Sequence, residues 1–261
     1  MNFDLPFVPE RPSKPRKEGI AMVMDKGLSL REAEDLIDSS GHLIDYVKLG
    51  FGTSAITPKL KEKIKLYQDH NIEPYLGGTL FEAFVVRDIR DQYKKVLEQF
   101  GLKALEISDG SIVLDHDEKL SWIEEFAKDF IVLSEVGSKQ EGIIIAPNKW
   151  ITMMDTELKA GSRLVIAEAR ESGTVGIYRP NGNAHVALVN KIISSIPAEQ
   201  IMWEAPHKAQ QAWFIQELGA NVNLGNIAPN EMIALETLRL GLRGDTFFQF
   251  LPQQIKESSN I

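Results

Sequence analysis

Eight short apolar runs recur along the chain, each followed by small or charged residues and then by a stretch with helical spacing. The runs cover 20–24, 46–49, 73–76, 104–107, 131–134, 164–167, 201–203 and 222–224. They are of strand length, and the intervening stretches carry helix start signals. Ser29 with Glu32 three residues on forms a capping box, and Leu30, Ala33 and Leu36 follow on one face. Thr57-Pro58 places a hydroxyl cap before a proline at the first helical position. Asp117 opens a helix with Leu120, Ile123, Ala127 and Phe130 inward, and Pro229 opens the last, with Met232, Leu235, Leu238 and Leu242 inward. Each parallel strand needs a helical return, so eight strand–helix units predict an α/β fold of one domain, a (β/α)8 TIM barrel. An open doubly wound sheet is the alternative. It would show a glycine-rich dinucleotide or phosphate loop after an early strand, and none is present.

The 261 residues suit one such barrel. Residues 1–18 hold four prolines and the run Lys14-Pro15-Arg16-Lys17, and read as an extended arm. The barrel is expected over 19–252 and a polar, frayed tail over 253–261. No internal linker or shift in composition marks a second domain.

Charge and cysteine content narrow the function. With 29 Lys and Arg against 37 Asp and Glu, the net charge is −8, which argues against a nucleic-acid partner held by a basic field. The absence of cysteine removes disulfides, thiolate metal sites and cysteine nucleophiles, and favours the cytoplasm. No run of about 18 apolar residues and no signal-like leader is seen, so no membrane partner is expected.

In a barrel of this kind the chemistry sits at the C-terminal ends of the strands. The residues there are Asp25-Lys26, Lys48 to Gly52, Gly77-Gly78-Thr79, Glu106 to Gly110, Glu135 to Lys139, Glu168 to Gly173, Glu204-Ala205-Pro206 and Gly225-Asn226. Carboxylates follow four successive strands: Glu106 or Asp109, Glu135, Glu168 and Glu204. Lys26, Lys48, Lys139 and Arg170 share the rim. Acids without cysteine suit a hard cation, Mg²⁺ or Mn²⁺. Gly225-Asn226, before the helix at Pro229, has the form of a phosphate cradle, although a tight strand exit explains the glycine equally well. Gly77-Gly78 is open to the same two readings. The histidines at 42, 70, 116, 185 and 207 show no ligand spacing, and only His207 follows a strand end closely. Trp203 and Trp213 read as packing residues. No Gly-x-Ser-x-Gly elbow is present.

At these same positions the chain resembles the phosphosulfolactate synthase family. The matching stretches are KPRKEGIAMVMDKGLS from Lys14, DYVKLGFGTSAI from Asp45, YLGGTLFE from Tyr75, LEISDGSI from Leu105 and LSEVGSK from Leu133. They continue with IAEARESG from Ile166, WEAPHKAQQAWFI from Trp203, NVNLGNIAP from Asn221 and LRGDTF from Leu242. The resemblance spans about residues 14–250 and extends to plant heat-stress-associated barrel proteins. It implies a (β/α)8 barrel that adds sulfite to phosphoenolpyruvate, giving (2R)-phospho-3-sulfolactate through a Mg²⁺-stabilised enediolate, the opening step of coenzyme M synthesis in methanogens. It also implies a homo-oligomer.

Under that chemistry Lys26, Lys48 and Arg170, with Gly225 and Asn226, would bind the anionic substrates. Glu106, Glu135 and Glu168 would hold the metal, with Asp109 and Glu204 as alternatives. Lys139 would donate the proton, with Lys48 as a second catalytic lysine. Two other classes stand beside this one: a barrel aldolase forming a Schiff base on Lys139 or Lys48, and a non-catalytic stress protein on the same scaffold.

Overall fold

Strands that each return through a helix can pair in chain order until the last meets the first. In the computed structural model, which describes residues 2–137 and 145–258, eight parallel strands close in the order β1 to β8. The strands are β1 (Ala21–Asp25), β2 (Tyr46–Leu49), β3 (Glu73–Leu76), β4 (Ala104–Ile107), β5 (Ile131–Val136), β6 (Leu164–Ala167), β7 (Ile201–Glu204) and β8 (Leu224–Ile227). Around them run α1 (Leu30–Ser40), α2 (Leu60–Asp69), α3 (Gly78–Val85), α4 (Arg90–Phe100), α5 (His116–Phe126), α6 (Pro147–Ala160), α7 (Val186–Ile193), α8 (Lys208–Leu218), α9 (Met232–Arg239) and α10 (Gln253–Ser258). The (β/α)8 barrel expected from the pattern is the fold. Among the described residues no helix is long and apolar enough to cross a membrane.

Period-two alternation divides the apolar residues into two cores. Ile20, Met22, Tyr75, Ala104, Leu133, Leu164, Ile166 and Met202 fill the inside of the barrel. The alternate strand residues, such as Val23, Val47, Leu105, Val132, Val165 and Trp203, pack outward beneath the helices.

Local signals were met unevenly. The capping box at Ser29 and Glu32 is formed as expected. Helix α2, by contrast, begins at Leu60 and not at Pro58, because Lys59 adopts a left-handed φ of 55° that breaks the helical path. Asp115, two residues before the expected Asp117, caps α5 by accepting from the Asp117 and Glu118 amides. Helix α9 stops at Arg239, which leaves Leu242 beyond its end and partly exposed. Residues 253–258, expected as frayed tail, form the short helix α10. Strand β8 lies two to three residues later than the apolar run suggested, so Gly225 and Asn226 belong to the strand and do not follow it.

The arm runs beneath the N-terminal end of the barrel. Arg11 bonds Glu236 of α9 at 2.9 Å, and Arg16 bonds Asp45 at 3.1 Å. A cavity of about 1080 Å³ opens at this end. Its basic groups from the arm are already engaged, Arg16 with Asp45 and Lys14 with the Gly41 and Asn71 carbonyls.

Candidate active site

The same alternation that buries Ala104, Leu133, Ile166 and Met202 aims the residue two positions further on into the barrel mouth. Those residues are Glu106, Glu135, Glu168 and Glu204, all buried. Lys48 of β2 reaches into them. Its Nζ lies 3.0 Å from Glu106 Oε2, 3.2 Å from Glu135 Oε2 and 3.2 Å from Glu204 Oε1. Burial works against the charge on Lys48, but Glu106, Glu204 and Glu135 together hold its pKa well above the usual lysine value. Burial pushes the Glu204 carboxyl up to about 7, Glu135 and Glu106 add to the rise, and Lys48 opposes it.

Backbone donors fix two of the acids. The Gly78 amide at the start of α3 donates to Glu106 Oε1 at 2.7 Å, and the Ala169 amide donates to Glu204 Oε2 at 2.8 Å. This approach accounts for Gly78, since a Cβ there would strike Ser108 Oγ and lie 2.8 Å from Glu106 Oε1. At Gly225, inside the barrel, a Cβ would lie 2.8 Å from Met22 Cε and 3.1 Å from Met202 Sδ. Packing against Ser108 therefore explains Gly78, whereas at Gly225 the neighbours are the movable ends of two methionines.

Among the described residues, Glu135, Glu168 and Glu204 each offer a carboxylate oxygen within 4.8 Å of the others. Glu204, expected only as an alternative ligand, stands in this trio. Glu106 is not among them; its oxygens face the Gly78 amide and Lys48. Asp109 turns away from the mouth toward Lys119 of α5, 2.9 Å distant. Lys119 was missed in the sequence, where it reads as one more charge on a surface helix. It is fully buried, and it donates to the Glu135 carbonyl at 2.7 Å and pairs with Glu157 of α6 at 2.9 Å. It thus ties two helices to the strand end that carries Glu135.

The trio faces a cavity of about 500 Å³ whose wall also includes Lys26, Lys48, Phe51, Arg170, His207 and Asn226. Lys26 sits over the Phe51 ring and pairs with Glu171 across the mouth, from the β1 loop to the β6 loop. Arg170 is exposed at the rim. The His207 ring meets the Ser172 carbonyl at 3.0 Å, bracing the loop after β6. Lys139 lies outside the described residues.

A family model for (2R)-phospho-3-sulfolactate synthase (ComA) matches residues 9–245. Phosphosulfolactate synthase of Methanothermobacter thermautotrophicus is 42% identical over 250 residues, covering 94% of this chain and 96% of that protein. Phosphosulfolactate synthase of Bacillus subtilis is 42% identical over 244 residues, covering 92% and 97%. Heat-stress-associated protein 32 of Arabidopsis thaliana is more distant, at 22% identity over 258 residues and 88% of each chain. Among solved structures, 3-hexulose-6-phosphate synthase superposes with a TM-score of 0.54 at 14% identity, covering 84% of this chain and 98% of that one, a likeness of fold alone.

Proposed function

This chain belongs to the (2R)-phospho-3-sulfolactate synthase family of enzymes, and we propose that it adds sulfite to phosphoenolpyruvate to give (2R)-phospho-3-sulfolactate. The observation that carries the reading is the convergence of Glu135, Glu168 and Glu204 within 4.8 Å at the wall of a cavity that Lys26 and Arg170 also line. An all-oxygen, anionic donor set fits Mg²⁺, so these three carboxylates are the residues that would hold it. When bound, the ion supplies positive charge at the substrate carboxylate, where the addition accumulates negative charge.

The chain's own side chains would do the rest. Sulfite sulfur attacks the methylene carbon, the carbon–sulfur bond forms, and the electron pair of the double bond moves toward the carboxylate. A proton must then reach the carbon that bears the phosphate. Three anionic groups meet in this step, and Lys26 and Arg170 offset their repulsion at the rim. Lys48 has another part. Encircled by three carboxylates it stays an ammonium, which orders the acids and leaves no free amine for the Schiff base of an aldolase. The proton donor in this reading is Lys139. A homo-oligomer in the cytoplasm belongs to the same reading, and light scattering at the protomer mass would reject the assembly.

Purified protein given phosphoenolpyruvate, sulfite and Mg²⁺ is expected to consume sulfite and form a sulfonated phosphate ester visible by mass spectrometry. No consumption under any divalent cation would reject the proposal. Within the same assay, Lys139→Arg is expected to lose at least about a hundredfold in kcat with much less change in phosphoenolpyruvate affinity. Arginine keeps the charge but does not give up its proton, and general acid catalysis is worth about that factor. Near-normal kcat with weakened binding would reduce Lys139 to a charge partner.

A further inference from the structure

Strand β8 holds one residue more than its partner. Ala21 and Val23 of β1 pair with Leu224 and Ile227, so two steps on β1 match three on β8. Such a bulge re-aims the side chains at the point of the extra residue, and bulges gather next to active sites. Here it falls on Gly225-Asn226, and Asn226 takes a left-handed φ of 57°, a conformation that asparagine tolerates better than most side chains.

The consequence lies in which end of the Asn226 amide is left without a partner. Its Nδ2 donates to the Ala169 carbonyl at 3.3 Å, which fixes the amide's orientation by chemistry, because a carbonyl oxygen requires a donor. Oδ1 is then buried with no hydrogen-bond partner among the described residues, on the wall that Glu135, Glu168 and Glu204 share. The Ala169 peptide joins the two sides of this arrangement, since its amide donates to Glu204 Oε2 while its carbonyl holds Asn226. A buried acceptor without a donor is costly, and a phosphate oxygen beside it would add repulsion.

We propose that Asn226 is a neutral oxygen donor to the divalent cation held by Glu135, Glu168 and Glu204, and not a donor to substrate phosphate. The inference rests on the metal reading above and gives the bulge in β8 its function.

Mn²⁺ binding to the substrate-free protein, followed by electron paramagnetic resonance, tests it without reference to turnover. Asn226→Gly removes the amide while keeping the backbone conformation accessible, and is expected to weaken Mn²⁺ binding by about tenfold or more. Asn226→Asp keeps an oxygen ligand and adds charge, and is expected to bind Mn²⁺ at least as tightly as the parent protein. Inorganic phosphate affinity, measured by calorimetry, should be unchanged in Asn226→Gly. Unaltered Mn²⁺ binding in Asn226→Gly, or lost phosphate binding with Mn²⁺ binding intact, would overturn the assignment. A parent protein that binds no Mn²⁺ would instead remove the metal reading itself.

Discussion

Replacing Glu135 and Glu168 together by Gln is expected to reduce Mg²⁺-dependent turnover by about a thousandfold or more while the protein stays folded. A bound divalent ion stabilises developing charge by several kcal/mol, and about 1.4 kcal/mol corresponds to each factor of ten. Both side chains keep their volume as amides, so the packing above Leu133 and Ile166 is undisturbed. In the cation-free protein the substitution also removes two negative charges from a crowded buried group, and the thermal midpoint should hold within a few degrees. Turnover as a function of Mg²⁺ concentration, with calorimetry in EDTA, checks both halves. Full activity of the parent protein in EDTA would defeat the expectation at once.

Lys48→Met is expected to act on stability first. Its ammonium is in contact with three buried carboxylates at 3.0–3.2 Å, and methionine would leave them facing one another. Removing one partner from a buried ionic group costs about 3–5 kcal/mol. For a chain of this size that corresponds to a midpoint lower by about 10 °C. The loss should shrink when Mg²⁺ is added, because a cation bound by Glu135 and Glu204 restores part of the missing charge. Calorimetry of the variant with and without Mg²⁺ measures this directly. A midpoint unchanged in EDTA would mean that the acids are already neutralised by other means.

The residues that the sequence disclosed, and those it hid, differ in how they depart from their surroundings. Glu106, Glu135, Glu168 and Glu204 stand out because each interrupts or ends an apolar run at an inward position, where a charge has no structural reason to be. Lys119 and Glu157 are equally buried, yet they occur on helices rich in charge, and only the three-dimensional packing of α5 against α6 removes them from water. Strand β8 was misplaced for a related reason. Glycine and asparagine are turn-forming residues, so Gly225-Asn226 reads as a strand exit, and nothing local announces a bulge. Asn223, expected in mid-strand, instead uses its side chain to accept from the Ile20 amide and donate to the Ile201 carbonyl, just before β8 begins. Choosing Glu204 over Glu106 for the trio also lay beyond reach, since it depends on how closely the carboxylates of three different strands approach one another.

The arm that bolts the lower end of the barrel has a consequence for the newborn chain. Arg11 and its partner Glu236 are separated by 225 residues, and β1 acquires its second neighbour only when β8 emerges. At ribosomal speeds of about 5–20 residues per second, the first strand waits for roughly 10–40 seconds with one edge open. Bare strand edges invite pairing with other nascent chains. The stretch immediately before β1 discourages this, because its four prolines cannot continue a ladder and Lys14, Arg16 and Lys17 repel a second copy of themselves. Four prolines and three cations just ahead of β1 thus oppose any extension of strand pairing back into the arm while the barrel is still open.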